Sequence, residues 1–333
     1  MNHLQAAFKG KNSFWRYIVM TGAIVAAINT VGALPFLGAY FYKITTDPGA
    51  VLRLASNPKD LSLLGYSPNF TLFLMLFTFV AGWFAFFFLI KPLHGKSFRD
   101  VVNGGRPVRW RRLFISALVW VIISAAWLLM YRQFDPDNFR INNLSSSLIP
   151  LLVISVILVP FQASFEEIFF RGYLMQGLTA PASWRNGKRF SGLLSAASAN
   201  ALFPLVVTSL LFGLMHSWNP EIKEYGFFTM IPQYIMFGLV FGIATILDDG
   251  IEVAAGAHIA NNTFLCIALT HKSSALQTDA IFEQLSIQPW FEFGTLVVLS
   301  AVYLLVMKYL LGWGSISALW KRVEVPAKGD QIA

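Results

Sequence analysis

Apolar residues in this chain fall into long runs separated by short polar stretches, with little of the two-residue alternation that a half-buried strand would give. A helix that crosses the hydrocarbon layer needs about 20 mostly apolar residues. Runs of that kind lie at Tyr17 to Tyr42, Phe70 to Ile90, Leu113 to Tyr131 and Leu148 to Phe170. Four more follow at Leu193 to His216, Phe227 to Leu247, Val253 to Thr270 and Phe293 to Leu311. The pattern predicts an all-α polytopic membrane protein of about eight transmembrane helices with short connections. The first run follows Lys9, Lys11 and Arg16 and lacks a short h-region with an A-x-A cleavage site, so it reads as a retained signal anchor.

Composition supports the same class. Of 333 residues 56% are hydrophobic and 13% charged, against about 25% charged in an average chain, which excludes a soluble fold. The one cysteine, Cys266, cannot form an internal disulfide, so helix packing must hold the fold. Buried in an apolar run, it reads as a small filler. No internal repeat or low-complexity segment is present.

A net charge of +8 would suggest nucleic acid in a soluble chain; here its distribution reports orientation and no nucleic-acid partner. Between the second and third runs stand Lys91, Lys96, Arg99, Arg106, Arg109, Arg111 and Arg112 against one acid, Asp100. The positive-inside rule places this loop in the cytoplasm, and alternation adds the N-terminal tail, the Arg185, Lys188, Arg189 loop and a tail with Lys321, Arg322 and Lys328. The expectation is a multi-pass protein with both termini cytoplasmic, in the plasma (inner) membrane if the source is bacterial, touching anionic lipid with its excess basic charge.

Ionisable groups inside spans cost at least ~2.5 kcal/mol each and are functional candidates by default. The fourth run ends on Glu166, Glu167 and Arg171, the fifth on Phe212 and His216, and the seventh holds His258 and Asn262. Glu167 and Arg171 are four apart with the acid first, so they can neutralise each other on one helix face. Glu166, rotated about 100°, is left without a local partner. His258 and Asn262, also four apart, address one small group together. Phe212, a turn before His216, can wall the site. Two chemistries fit. In one, Glu166 and His216 activate water while His258 and Asn262 stabilise an oxyanion, and no cofactor is required. In the other, Glu166, His216 and His258 hold Zn²⁺ or another divalent metal, without the H-E-x-x-H spacing.

The other polar residues carry blander readings. Asp248, Asp249 and Glu252 flank the seventh run and read as a solvated loop; Asn29 and Gln233 read as hydrogen-bonded packing residues. His3, His94 and His271 lie in tails or loops and carry no functional signal. The Phe-rich second run reads as packed or lipid-facing hydrophobe, and Trp15, Trp110, Trp290 and Trp313 as interfacial anchors.

Glu166-Glu167-x-x-x-Arg171, Phe212-x-x-x-His216 and His258-x-x-x-Asn262 resemble, in order, the three motifs of the CPBP (CAAX protease and bacteriocin-processing, or Abi) family, which includes the type II CAAX prenyl endopeptidases. The resemblance covers roughly residues 148 to 270, flanked by an N-terminal three-helix region, 1–147, and a C-terminal helix and tail, 271–333. It implies an eight-helix membrane endopeptidase with its active site inside the helix bundle. Members are described both as metalloproteases and as glutamate-dependent proteases. On the second view Glu166 and His216 activate water, and His258 and Asn262 form the oxyanion hole. The implied substrate is a membrane-anchored or lipidated peptide or protein, of CAAX type or a bacteriocin or other peptide precursor. The segment Trp184 to Arg189 reads as a loop insertion. A non-catalytic membrane scaffold or bacteriocin-immunity protein, and a proton-coupled transporter, are the alternatives. Span counting puts Glu166 and His258 toward the cytoplasmic side and His216 at the far end of its run; contact requires offset or tilted helices, or a fifth span that begins later, near Pro204.

Overall fold

A computed structural model describes residues 2–56, 61–142, 147–179, 200–321 and 323. The Trp184 to Arg189 insertion, the Leu193 start of the fifth run and the tail residues Arg322 and Lys328 lie outside the described residues. The helices are α1 (Asn2–Gln5), α2 (Phe14–Asn29), α3 (Leu34–Thr46), α4 (Pro48–Ser56), α5 (Pro68–His94), α6 (Phe98–Asn103) and α7 (Trp110–Phe134). Then come α8 (Leu148–Glu167), α9 (Met175–Thr179), α10 (Leu202–Met215), α11 (Pro220–Tyr225), α12 (Phe227–Asp248), α13 (Glu252–Ile267) and α14 (Pro289–Leu311).

Local chemistry sets the ends of the long helices. Ser67 accepts from the Phe70 amide ahead of Pro68, and Gly95 at φ 66° closes the 27-residue α5. Pro289 opens α14 and Gly312, at φ 64°, ends it. Six helical stretches are long and apolar enough to cross a membrane: Phe14–Thr46, Pro68–His94, Trp110–Phe134, Leu148–Thr179, Phe227–Asp248 and Pro289–Leu311. The chain is an all-α polytopic membrane protein.

The remaining two of the eight expected spans are shorter than the sequence suggests. α10 has 14 residues and α13 has 16, or about 21 and 24 Å of helix against a hydrocarbon core of about 30 Å. The seventh run overreaches because its last two residues, Leu269 and Thr270, form a strand. The first run divides at residues 30–33, where Gly32 presses on α5: a Cβ there would lie 2.9 Å from Thr78 Cα. The fourth run passes its expected end at Phe170 and continues to Thr179 through a π-helical turn, Ile168–Leu174.

α8 and α13 lie at the centre of the bundle. α13 packs along α7 and α8, α8 also packs on α5, and α12 joins α10, α13 and α14. α7 and α13 run parallel, since Arg109 meets Glu252, Leu113 meets Gly256 and Trp120 meets Asn261. The backbones approach closely because Gly256 lacks a side chain; a Cβ would sit 2.2 Å from the Leu113 carbonyl oxygen. α8 runs antiparallel to α13, pairing Glu167 with His258 and Gln162 with Asn262.

At the C-terminal ends of α7 and α13 the all-α expectation gains a small sheet, ordered β1-β3-β2. β1 (Phe139–Ile141) pairs antiparallel with β3 (Phe282–Gln284), Ile141 opposite Phe282, and β2 (Leu269–Thr270) pairs with β3 in parallel, Leu269 opposite Phe282.

The opposite end corrects the reading of Asp248, Asp249 and Glu252 as a solvated loop. Asp248 and Glu252 are buried. Asp248 pairs with Arg109 at 2.9 Å and with Arg112, and accepts from the Trp313 indole at 2.8 Å. Glu252 accepts from Arg109 Nη2 at 2.5 Å and Asn103 at 2.6 Å, and Asp249 pairs with Arg106 at 3.2 Å. Two arginines assigned to orientation, Arg109 and Arg112, are therefore also the cations that offset the burial of Asp248 and Glu252, Arg106 pairs with the half-buried Asp249, and Trp313 is a buried donor rather than an interfacial anchor. Trp15, Trp110 and Trp290 are exposed, as anchors are.

His3 and His94 also depart from the sequence reading, because both are buried. His94 donates from Nδ1 to the Lys11 carbonyl at 2.7 Å and accepts from Tyr173 at 2.8 Å. His3 donates from Nε2 to the Arg171 carbonyl at 3.0 Å. Burial pushes His271, beyond α13, down to about 4. Cys266 is a buried, free filler packed with Leu72, Leu151 and Val159. Gln233 donates to the Pro289 carbonyl, and Asn29 bonds back into its own helix at Val25.

Candidate active site

The end of α8 carries the charge. Glu167 and Arg171 are fully buried and paired at 3.1 Å, the i,i+4 contact expected from their spacing. Such a pair is costly in a bundle core unless its remaining valences are met. Arg171 lies over the Phe212 ring at 4.2 Å and donates to the Gly238 carbonyl at 3.4 Å. Glu167 Oε1 also accepts from His258 Nδ1 at 2.7 Å. One carboxylate thus fixes both the guanidinium and the tautomer of the imidazole.

With Nδ1–H held by Glu167, His258 turns Nε2 toward Glu166, whose Oε2 is 3.7 Å away. Its ring stacks on Phe241, with centroids 5.0 Å apart, and meets Phe212 edge-on at 5.9 Å. Asn262 Nδ2 lies 3.3 Å from His258 Nε2, so the two share one face of α13 as their spacing requires. Glu166 does have a partner on its own helix, contrary to expectation: Gln162, one turn earlier, donates to its Oε1 at 2.6 Å. Gln162 in turn accepts from Asn262 at 2.8 Å. Glu166 Oε2 is buried without a hydrogen-bond partner among the described residues.

His216 follows α10, which begins at Leu202 and is short; of the arrangements that span counting left open, offset or tilted helices or a later fifth span, the helix start matches the later span. Its Nδ1 donates to the Phe212 carbonyl at 2.7 Å, which leaves Nε2 as the basic nitrogen. Phe212 stands between Arg171, His258 and His216, whose centroid is 4.7 Å from its own. Glu166 and His258 lie within electrostatic reach of His216, with no direct hydrogen bond to it among the described residues.

Two neighbours carry no motif signal. Tyr234 stacks on the His216 ring at 4.2 Å and 15°. It donates to Glu221 and accepts from Asn219 at 2.9 Å. Burial holds the Glu221 carboxyl, on α11, above the ordinary carboxylate range, with the Tyr234 bond opposing that rise. Hence α11 locks Tyr234 as a flat backing for the imidazole. Gln162 and Tyr234 are ordinary residues in apolar runs, and only tertiary contacts mark them.

Among the described residues no three His, Cys, Asp or Glu side chains converge as metal ligands do. Both His258 Nδ1 and His216 Nδ1 are committed to protein acceptors, and Glu166 meets His258 across 3.7 Å. These residues leave Nε2 of each ring as the nitrogen for a proton, a water or a metal ion, since a metal-ligating His is held by its other nitrogen in the same way. They fit a buried carboxyl with one free oxygen beside an imidazole and an amide donor, groups suited to activating water and stabilising a developing anion.

Residues 145–264 match the family model of the type II CAAX prenyl endopeptidase Rce1-like proteins, a segment that contains every residue of this site. The uncharacterized protein YyaK of Bacillus subtilis (strain 168) is 30% identical over 279 residues, covering 82% of this chain and 84% of YyaK. No solved structure matches the chain. The chain belongs to the type II CAAX prenyl endopeptidase Rce1-like family of membrane peptidases.

Proposed function

We propose that the chain is an intramembrane endopeptidase that hydrolyses a peptide bond in a membrane-embedded or lipid-anchored peptide or protein, using water activated by Glu166. The observation that carries this reading is the free Oε2 of Glu166, buried 3.7 Å from His258 Nε2 between helices of a membrane bundle. A carboxyl held there by one oxygen has the other available for a water proton.

In this reading Glu166 Oε2 accepts a proton from water as the oxygen attacks the scissile carbonyl, and His216 Nε2 takes a second hydrogen bond from that water. The oxyanion receives N–H bonds from Asn262 and from His258 when both ring nitrogens are protonated. The 3.3 Å contact between these two side chains is long enough to open for it. Glu166 then returns the proton to the leaving amine. Glu167, Arg171 and Phe212 hold the imidazoles in place. No step passes through a metal.

The substrate class is a lipidated CAAX-type C-terminus or a membrane-inserted peptide precursor. We further assign the arginine-rich end to the cytoplasm of a plasma membrane. His3 at one end of the chain and Trp313 near the other both bind acids there, at Asp249 and Asp248, which supports cytoplasmic placement of both termini with the positive-inside rule.

The test is cleavage of a farnesylated CAAX peptide and of a membrane-inserted peptide library by purified protein in lipid nanodiscs. Glu166→Gln should lose at least ~10²-fold in rate while wild type keeps its activity in a strong chelator. Full activity in a folded Glu166→Gln protein would overturn the role of Glu166, and complete loss in chelator would overturn the metal-free route. Proton flux into proteoliposomes that Glu166→Gln abolishes would replace this reading with transport.

A further inference from the structure

Four hydrogen bonds join α7, α13 and α8 into one chain that ends on Glu166. Trp120 Nε1 donates to Asn261 Oδ1 at 3.2 Å, and Asn261 Nδ2 donates to Asn262 Oδ1 at 3.0 Å. Asn262 Nδ2 donates to Gln162 Oε1 at 2.8 Å, and Gln162 Nε2 donates to Glu166 Oε1 at 2.6 Å. Every bond points the same way. An indole N–H can only donate, so Asn261 must turn its oxygen to Trp120 and its NH₂ to Asn262. The same logic leaves the Asn262 NH₂ for Gln162 and the Gln162 NH₂ for the carboxyl. Turning over any one amide would set like groups against each other at both of its contacts. Aligned bonds of this kind also polarise and strengthen one another in a low-dielectric core.

We propose that Gln162 is a positioning residue that sets the polarity of the site. It clasps one oxygen of Glu166, which leaves the other for water, and it holds the Asn262 amide so that N–H rather than C=O faces the reacting carbonyl. The assignment rests on the proteolytic reading for its kinetic consequence, whereas the geometric claim about Glu166 and Asn262 stands apart from it. Gln162 is itself buried on the span that carries Glu166, one turn away. Its two hydrogen bonds couple the water-activating side of the site to the anion-binding side.

Two variants of nearly equal volume separate positioning from packing. Gln162→Met keeps the shape and removes both bonds; Gln162→Glu keeps the shape and makes the group an acceptor toward Glu166. With the farnesylated CAAX peptide as probe, Gln162→Met should lose roughly tenfold or more in kcat with KM close to wild type, and its thermal unfolding midpoint should fall because Glu166 Oε1 and the Asn262 amide lose their partner. Gln162→Glu should approach wild-type turnover only toward acid pH. There a proton shared between the two carboxyls restores the donor, and activity is lost as pH rises and both ionise. Infrared spectra of the same proteins without substrate give an independent arm, with the Glu166 carboxyl band assigned by difference against Glu166→Gln. That band should shift in Gln162→Met. Wild-type protein that leaves the peptide whole while the band shifts would overturn the proteolytic reading for this peptide and uphold the positioning role. An unmoved band, wild-type turnover in Gln162→Met, or a Gln162→Glu to wild-type activity ratio that is flat with pH would overturn the positioning role.

Discussion

Glu167 is the acid whose partners say most about how this interior tolerates charge. It meets Arg171 at 3.1 Å and His258 at 2.7 Å, all three buried, with an aromatic ring under the guanidinium. Removing the cation strands the acid. Arg171→Met should therefore cost about 3–5 kcal/mol, seen as a lower unfolding midpoint in detergent, together with loss of peptide cleavage. Arg171→Lys, which keeps the charge but not the planar fork over Phe212, should fall between it and wild type. Equal midpoints for all three proteins would contradict this view of the pair. The Glu167 to Arg171 contact was readable in the sequence because it lies within one helix at i,i+4. Gln162 was not, although it also sits four residues from its partner. An amide in an apolar run is ordinary interhelical glue, and its second bond, to Asn262, depends on where α13 packs.

Helix lengths explain why so much of the architecture was legible and where it was not. Long runs such as Pro68–His94 and Trp110–Phe134 follow from hydropathy alone. α10, which ends one residue before His216, and α13, which carries His258 and Asn262, fall short of a full span, and residues that enter a strand extend the seventh run in the sequence. The π turn after Glu167 was invisible for the same reason: its sequence has helical periodicity, and its wider winding shows only in the backbone. His3 of α1 donates to the Arg171 carbonyl within that turn, so the N-terminal helix is tied to the site. Burial lowers the His3 pKa from its ordinary 6.5, while Asp249 and Glu252 oppose this and Arg106 adds to it. The folded state therefore prefers neutral His3, and the unfolded segment takes up a proton first. Docking of α1 should be complete above about pH 6.5 and weaken as pH falls below it. Proteolysis of the N-terminal segment in intact nanodiscs should speed up from pH 7.5 to pH 5.5 in wild type and stay nearly level in His3→Gln. Equal acid sensitivity in both proteins would remove His3 as the cause.

For the bundle as a whole, two groups of buried charge stand along α13 among the described residues. Asp248, Glu252 and their arginines hold one end of the molecule, and Glu166, Glu167, Arg171 and His258 lie within it. Six residues separate Glu252 from His258, about 9 Å along the helix, so the site lies inside the bundle and nearer the arginine-rich end. Low overall charge made the candidate residues easy to find in the sequence, since few ionisable groups fall inside apolar runs. It did not show that the arginines of the 91–112 segment neutralise acids on another helix, because ion pairs between distant segments leave no periodic trace. What stands or falls with this picture is that Glu166 makes the bundle a peptidase. Membranes from cells producing wild-type or Glu166→Gln protein at equal levels can be compared by mass spectrometry of peptide termini. At least one membrane-anchored peptide or protein should appear trimmed with wild type and accumulate as its uncut precursor with Glu166→Gln. Identical termini in the two membranes would contradict it.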